Sequence, residues 1–350
     1  MQRKHNLSLA AVAAIAATVA LATPFAASAQ STVTVYGIAD LYLQYGQGST
    51  GSQLQVQTGG VSGSRLGFKG TEALGSGLSA QFQLEMGINA DTGSLGQGGL
   101  AWGRQAWVGL NQDGLGSVNL GRQNIPQYVV LDTFDPYGTG AGSAASSGIV
   151  STTSRANNSI VLKSASFGGL TVQAMTALGE TGTSNTASNI YGLGAQYNAG
   201  AFAAGLALSQ FKAADATKVD ATYTLLTGSY DFGAFKVTGG VQRVNNLGGV
   251  ATVDRTEALA GVLVPVSANG TVSAGVGTGT TEDLAGSRAS QYTLGYTHAL
   301  SKRTKLYAIG TVIQNGAGTK YTADAASGTG PTTTNGKDVS ALQVGIRHAF

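Results

Sequence analysis

The feature that most constrains the fold is an alternation of apolar and polar residues in segments of about ten. In residues 34–45, Val35, Leu41 and Leu43 fall on one parity, while Asp40 and Gln44 fall on the other. A period of two is that of a β-strand, whose successive side chains point to opposite faces. Strands that cross a membrane as part of a barrel show this pattern, with lipid on one side and the lumen on the other.

The composition indicates a membrane β-barrel rather than a soluble fold. Charged residues make up 11% of the chain, far below the ~25% of an average soluble domain. No part beyond the N-terminal region holds the ~18 uninterrupted apolar residues that a transmembrane helix needs. In lipid every backbone polar group must be bonded within the protein, so a chain without such helices can cross only as a closed barrel.

The first 29 residues have the pattern of an export signal. Basic residues at 3–5 precede an apolar stretch at 7–21 and small residues at 27–29, which is the order found in secretory signal peptides. We expect cleavage between Ala29 and Gln30; an uncleaved anchor is the alternative. Residues 30–350 then form the barrel domain. Without Arg3 and Lys4, 18 of the 20 basic residues remain against 17 acidic ones, so the charge does not point to nucleic acid.

The alternating segments suggest sixteen strands. Their connections switch between short turns and long polar loops, as on the periplasmic and extracellular sides of an outer-membrane barrel. The candidate strands are residues 34–45, 61–71, 78–90, 101–110, 117–122, 157–164, 169–178, 189–198, 200–211, 218–231, 234–244, 252–265, 269–280, 288–299, 303–315 and 338–350. Residues 46–60 are predicted to form a polar loop.

One long connection, residues 123–154, departs from this rhythm. Its first half shows no strand pattern. It carries Asp132 and Asp135, with Arg122 just before it and Arg155 just after it. A structureless run of this length inside a compact domain is usually functional. An acidic loop enclosed by strands with arginines on their polar faces suggests a pore with a loop folded into it.

The sequence offers few residues of the types that catalytic or metal-binding sites use. Cysteine is absent, and the only histidines beyond the signal are His298 and His348, each on an alternating strand. Glycine pairs such as Gly192 and Gly194 lie inside strands, where they more often relieve crowding than bind phosphate. We therefore expect no enzymatic activity, no catalytic residues, no metal and no cofactor.

Several motifs together resemble the general trimeric porins of Gram-negative outer membranes, in the branch found in beta-proteobacteria. They are spread in order over the whole chain after the signal. The stretches are residues 32–37, TVTVYG; 64–72, SRLGFKGTE; 77–85, GLSAQFQLE; 120–123, LGRQ; 155–159, RANNS; 300–304, LSKRT; and 344–350, VGIRHAF.

This resemblance implies an all-β fold, a 16-stranded antiparallel transmembrane β-barrel that forms homotrimers and whose third extracellular loop folds inward. It places a basic wall at the constriction, facing loop acids Asp132 and Asp135. The wall residues are Arg65, Arg104 and Arg155, with Lys69 and Arg122 nearby. It also implies that Phe350 is read by the barrel-assembly machinery and that lipid and lipopolysaccharide surround the barrel.

The expected function is a water-filled channel for passive diffusion of small hydrophilic solutes and ions. Arginines outnumbering loop aspartates predict a weak preference for anions, although the same arginines could instead pair with the loop and hold it. Asp40 and Glu85, on the lumen parity, could balance part of the charge. The alternative is a substrate-specific channel for a sugar or organic acid, using Tyr36, Tyr42 and Tyr137. An adhesive protein without conductance is a third candidate.

Overall fold

The computed structural model describes residues 32–180, 186–323 and 330–350. The expected signal peptide and the cleavage site at Ala29 and Gln30 lie outside these ranges. Within them, no helix is long and apolar enough to cross a membrane.

The described chain is built almost entirely of antiparallel strands, with one α-helix. The helix, α1, spans Pro126–Phe134. The strands β1 to β18 span, in order, Thr32–Gly48, Gly51–Thr58, Arg65–Gly75, Leu78–Asn89, Ser94–Leu95, Gln105–Gln112, Gly116–Asn124, Arg155–Ser164, Leu170–Ala177, Ile190–Ala199, Phe202–Phe211, Ala221–Asp231, Lys236–Asn245, Arg255–Pro265, Gly270–Thr281, Ala289–Ala299, Thr304–Asn315 and Val339–Ala349.

These segments close into a barrel of sixteen strands, which confirms the predicted fold class. Residues 41–48 of β1 pair with β2, and residues 32–38 of β1 pair with β3. The strands β2 and β3 are therefore two parts of one barrel strand, interrupted at residues 59–64. The two-residue β5 pairs only with the end of β4. Each other strand pairs with its sequence neighbour, and β18 returns to pair with β1.

Closure is completed by the last residue. The backbone N–H of Phe350 donates to the Gly37 carbonyl at 3.1 Å, and that of Gly37 donates to the Phe350 carbonyl at 3.0 Å. The Phe350 ring covers Gly37 so closely that a Cβ there would lie 2.3 Å from ring atom Cζ. Glycine at position 37 therefore permits the seam to close.

The two faces of the barrel differ as the alternation predicted. Large apolar side chains on one parity are exposed on the outer surface, for example Leu43, Leu294 and Val344. Polar side chains on the other parity, such as Gln44 and Gln343, are buried inside. An apolar exterior and a polar interior are what a barrel in a bilayer with an aqueous lumen requires.

Two local predictions were wrong. Residues 46–60 are not a loop, because β1 continues to Gly48 and turns directly into β2. Residues 123–154 are not structureless, because they contain α1. Pro126 occupies the start of this helix, where its missing N–H has no intrahelical partner to lose.

Candidate constriction site

The connection between β7 and β8, residues 125–154, lies inside the barrel; we call it the inner loop. Its first part, α1, contacts β10, β11, β12 and β13. Val130, Leu131 and Phe134 are buried against this wall, and the Thr238 hydroxyl donates to the Phe134 carbonyl at 2.6 Å. The helix therefore presents its apolar face to the wall rather than to the lumen.

Glycines on the lumen face of the wall make room for the inner loop. A Cβ at Gly205 would lie 2.8 Å from Val130 Cγ1, and one at Gly277 would lie 2.2 Å from Ala144 Cβ. Gly192 likewise faces Pro126, with 2.9 Å between its Cβ position and the Pro126 Cδ. Gly194 also faces Pro126, with 3.1 Å between its Cβ position and the Pro126 Cβ, so the interpretation of Gly192 and Gly194 as relief of crowding matches the structure.

The tip of the inner loop is hydrogen-bonded to the opposite wall. Ala141 N–H donates to the Gly60 carbonyl at 2.7 Å, at the interruption between β2 and β3. The Gly142 carbonyl accepts from Gln291 Nε2 at 2.7 Å and from the Thr293 hydroxyl at 2.8 Å. These contacts stretch the loop across the lumen.

The returning part of the loop is held by a buried charged network on β13 and β14. Glu257 is fully buried and accepts from Ser151 N–H at 2.8 Å and from the Ser151 hydroxyl at 2.6 Å. Gln242 Nε2 also donates to Glu257 at 2.8 Å, and Arg255 donates to the Ile149 carbonyl at 3.0 Å. Sequence reasoning missed this network, although Arg255 and Glu257 share one parity of a predicted strand.

On its other side the inner loop borders a cavity of about 1200 Å³. Charged residues from widely separated parts of the chain line it, and three of the five predicted wall cations are among them. The charged lining residues are Arg65, Arg104, Arg155, Arg347, Asp91 and Asp132. Arg155 is the first residue of β8 and Arg104 directly precedes β6, so both lie where strands meet the longer loops. Arg65 is the first residue of β3 and lies at the interruption between β2 and β3.

Glu85 organises two of the wall arginines. Its Oε1 lies 2.7 Å from Arg104 Nε and 3.8 Å from an Arg65 nitrogen, while its Oε2 accepts from the Tyr36 hydroxyl at 2.9 Å. The expectation that Glu85 balances part of the wall charge matches this geometry. The ion pairs lie within the wall, because no ion pair among the described residues joins these arginines to Asp132.

Arg155 differs from Arg65 and Arg104 in having no direct carboxylate partner among the described residues of the wall. Its guanidinium lies 6.0 Å from the centroid of the Tyr128 ring on the inner loop, within the range of a cation–π contact. In the described part of the chain it forms no ion pair. It therefore contributes a full positive charge to the cavity.

The two loop acids occupy different places. Asp132 lines the cavity and accepts from the Thr139 hydroxyl at 2.6 Å. Burial raises the pKa of Asp132, while that hydrogen bond and the nearby charges of Arg65, Arg104 and Arg155 oppose the rise. Asp132 is thus the acid that faces the arginine wall.

Asp135 is turned away from the cavity. It is buried, accepts from Tyr137 N–H at 2.7 Å and is hydrogen-bonded by the Ser143 hydroxyl. Burial raises the pKa of its carboxyl to about 6. Its contacts are within the inner loop, so it shapes the loop instead of lining the passage.

The other two predicted wall cations lie apart from the cavity lining. Lys69 shares the lumen parity of Arg65 and lies 5.3 Å from the centroid of the Tyr36 ring. Arg122 shares the outward parity of the exposed Leu120. Its guanidinium donates to the Gly103 carbonyl at 2.8 Å and to Asn157 at 2.6 Å.

Arg347 is a lining residue that sequence reasoning did not single out. Its Nε donates to the Ser62 hydroxyl at 3.1 Å. The neighbouring Asp40 accepts from the Tyr307 hydroxyl at 2.6 Å and from Ser62 N–H at 2.8 Å. Alternation in the last strand places Arg347 on the lumen parity with Gln343, and that signal could have identified it.

The three candidate tyrosines do not form a continuous track. Tyr42 is buried in a cluster with Tyr307 and Ala141 under the tip of the inner loop. Tyr137 donates its hydroxyl to the Ser273 carbonyl at 3.0 Å. Only Tyr36 remains beside the basic wall, so the geometry gives little support to a sugar path.

A closed barrel with an apolar exterior, a polar lumen and a loop drawn across that lumen defines the class of outer-membrane diffusion channels. The family model for Gram-negative porins matches residues 14–318 of this chain. The chain belongs to that family. It is an outer-membrane protein that crosses the bilayer many times as a β-barrel and forms a water-filled channel for passive diffusion.

Individual relatives agree with this assignment. Outer membrane porin protein 32 of Delftia acidovorans is 34% identical over 347 residues, covering 94% of this chain and 97% of that protein. An outer membrane porin protein of Bordetella pertussis is 29% identical, covering 93% and 96%. The solved anion-selective porin from Comamonas acidovorans is 31% identical, with a TM-score of 0.81, covering 92% of this chain and 100% of that one.

Proposed function

We propose that the channel is weakly anion-selective and that its selectivity is set where the arginine wall faces Asp132. The observation that carries this is the charge of the cavity lining, four arginines against two aspartates. Glu85 offsets part of the wall charge, and Arg155 forms no ion pair among the described residues. A positive excess therefore remains at the narrow part of the lumen.

Fixed charges on opposite sides of a narrow aqueous passage create a transverse field that orients water and dipolar solutes and biases the choice of ion. Arginine suits such a wall, because its guanidinium remains charged at all physiological pH values. The related porin from Comamonas acidovorans, described as anion-selective, supports the same sign of preference here.

The hydrogen bonds that anchor the inner loop come from residues other than the wall arginines, whose main contribution is to selectivity. The inner loop is anchored by Glu257, Gln242, Gln291 and the Gly60 carbonyl. Arg65 and Arg104 pair with Glu85, which belongs to the barrel wall. Their removal is therefore expected to change the field without releasing the loop.

We extend the proposal to the setting of the channel. Residues 1–29 act as a cleaved signal peptide, and residues 30–350 form the barrel domain with residues 123–154 as its constriction loop. Three copies assemble as a homotrimer, Phe350 is recognised by the barrel-assembly machinery, and lipopolysaccharide contacts the outer surface. The protein has no enzymatic activity.

The test is a reversal-potential measurement in planar bilayers. Replacing Arg65→Ala and Arg155→Ala together is expected to bring the anion-to-cation permeability ratio toward one or below it. The control is Lys212→Ala with Lys218→Ala, which removes the same charge from the connection between β11 and β12. An unchanged ratio in the arginine variant would show that these residues do not set selectivity.

A further inference from the structure

The short turn between β16 and β17, residues 300–303, has an unusual charge pattern. It carries Lys302 and Arg303 side by side, both exposed. Neither residues 289–306 nor residues 339–350 contain any aspartate or glutamate. In the described part of the chain neither cation forms an ion pair. The basic charge of this turn is therefore available to a partner.

Two histidines extend this basic surface onto the outward face of the barrel. His348 on β18 is exposed, and its Nδ1 lies 2.8 Å from the Thr304 hydroxyl. On β16, His298 Nδ1 lies 3.1 Å from the Tyr296 hydroxyl. Both contacts use Nδ1, and no hydrogen bond of either Nε2 atom occurs among the described residues. His298 is opposite Leu306 and His348 is opposite Thr304 on β17. With neighbouring strands ~4.8 Å apart and a rise of ~3.4 Å per residue, the two histidines flank β17 at a separation of about 12 Å.

Apolar side chains lie next to this surface and mark its depth in the bilayer. Leu300, Leu306 and Ile346 are exposed on the same outward face. In register, Leu306 lies opposite both His298 and Ile346. Basic and aromatic groups that lie among exposed leucine and isoleucine side chains at the ends of strands are placed at the level of lipid headgroups.

We propose that this surface, formed by Tyr296, His298, Lys302, Arg303 and His348, binds the phosphate of an anionic phospholipid in the periplasmic leaflet. The cations attract the headgroup and the adjacent apolar residues contact its acyl chains. The charge complementarity selects an anionic lipid over a zwitterionic one. The other end of the same strands does not offer this arrangement, because its loops carry carboxylates such as Glu282 and Asp338.

The experiment uses the full-length protein in phosphatidylcholine vesicles with a trace of spin-labelled phosphatidylglycerol or phosphatidylcholine. Electron paramagnetic resonance measures the fraction of label immobilised at the barrel. We expect phosphatidylglycerol to associate several-fold more strongly than phosphatidylcholine. Lys302→Ala with Arg303→Ala should reduce that ratio at least twofold, while the control Lys236→Ala, at the same rim but paired in register with Asp231, should retain it.

Several outcomes would overturn the proposal: a wild-type ratio of one, an unchanged ratio in the double variant, or complete displacement by inorganic phosphate, which would make the free ion the ligand. Dissociation of the oligomer with the lipid ratio intact would assign the surface to a second copy of the chain. If the double variant does not fold, His348→Gln replaces it in the experiment. It is expected to lower the phosphatidylglycerol-to-phosphatidylcholine ratio by less than the double variant would. Pore selectivity should not change, so failure here leaves the proposed function untouched.

Discussion

At the scale of single residues, Glu85 is the side chain on which the charge of the constriction depends. It is buried and binds Arg104, Arg65 and Tyr36 at once. Replacing Glu85→Gln keeps the shape and removes the negative charge. The anion preference measured by reversal potential should therefore increase. Glu72→Gln, at an exposed position near the end of β3, is the control. A decrease in anion preference would contradict the assignment of charge at this wall.

Asp135 is expected to make the stability of the protein depend on pH. Because burial raises its pKa to about 6, the folded inner loop holds a proton that the unfolded chain releases above the ordinary value of 3.8. The stabilisation from the protonated form is full below that value and is lost as pH rises through about 6, at most about 3 kcal/mol.

Urea unfolding of the wild type and of Asp135→Asn at pH 4 to 7 measures this contribution. The difference in unfolding free energy between the two proteins should change between pH 4 and pH 7, because the wild type loses more stability than Asp135→Asn as pH rises. Asp283→Asn, in an exposed loop, should follow the wild type. A constant difference between wild type and Asp135→Asn would mean that Asp135 titrates normally.

At the scale of elements, the inner loop and the wall depend on each other. A Cβ at Gly277 would lie 2.2 Å from Ala144 Cβ, so Gly277→Val must push the loop away from β15 and toward the arginine wall. Overpacking of this kind typically costs ~1–3 kcal/mol. Single-channel conductance should fall because the passage narrows.

The matched control for Gly277→Val is Gly310→Val on β17. A Cβ at Gly310 would meet only the Leu294 carbonyl oxygen, at 3.9 Å, so conductance should be unchanged. If both variants conduct like the wild type, the inner loop does not rest on β15 as the structure describes.

At the scale of the whole molecule, the barrel closes through Phe350 and Gly37, and its exposed apolar surface requires lipid or other copies of the chain. A homotrimer predicts that the refolded protein inserts into planar bilayers in events of three equal conductance steps. Heat dissociation of the oligomer before recording should convert these events to single steps or abolish them. Single steps from the intact preparation would argue for a monomeric channel.

Much of this molecule follows from its sequence. A period of two assigns each residue of a strand to lipid or lumen, so Arg65 and Glu85 could be placed inside from the pattern. Low charge and the absence of long apolar runs leave a closed barrel as the way for this chain to cross a membrane. Strand boundaries were near the predicted ones because glycine and polar turns interrupt the alternation.

Only the tertiary structure decided how the inner loop is arranged. Asp132 and Asp135 are three residues apart and chemically alike, yet one lines the cavity and the other is buried within the loop. The positions of their side chains depend on which faces α1 and the following turn present to β10–β15. These strands lie more than 50 residues further along the chain. The Glu257 anchor and Arg347 join the site in the same way, because barrel closure brings together side chains that no local pattern relates.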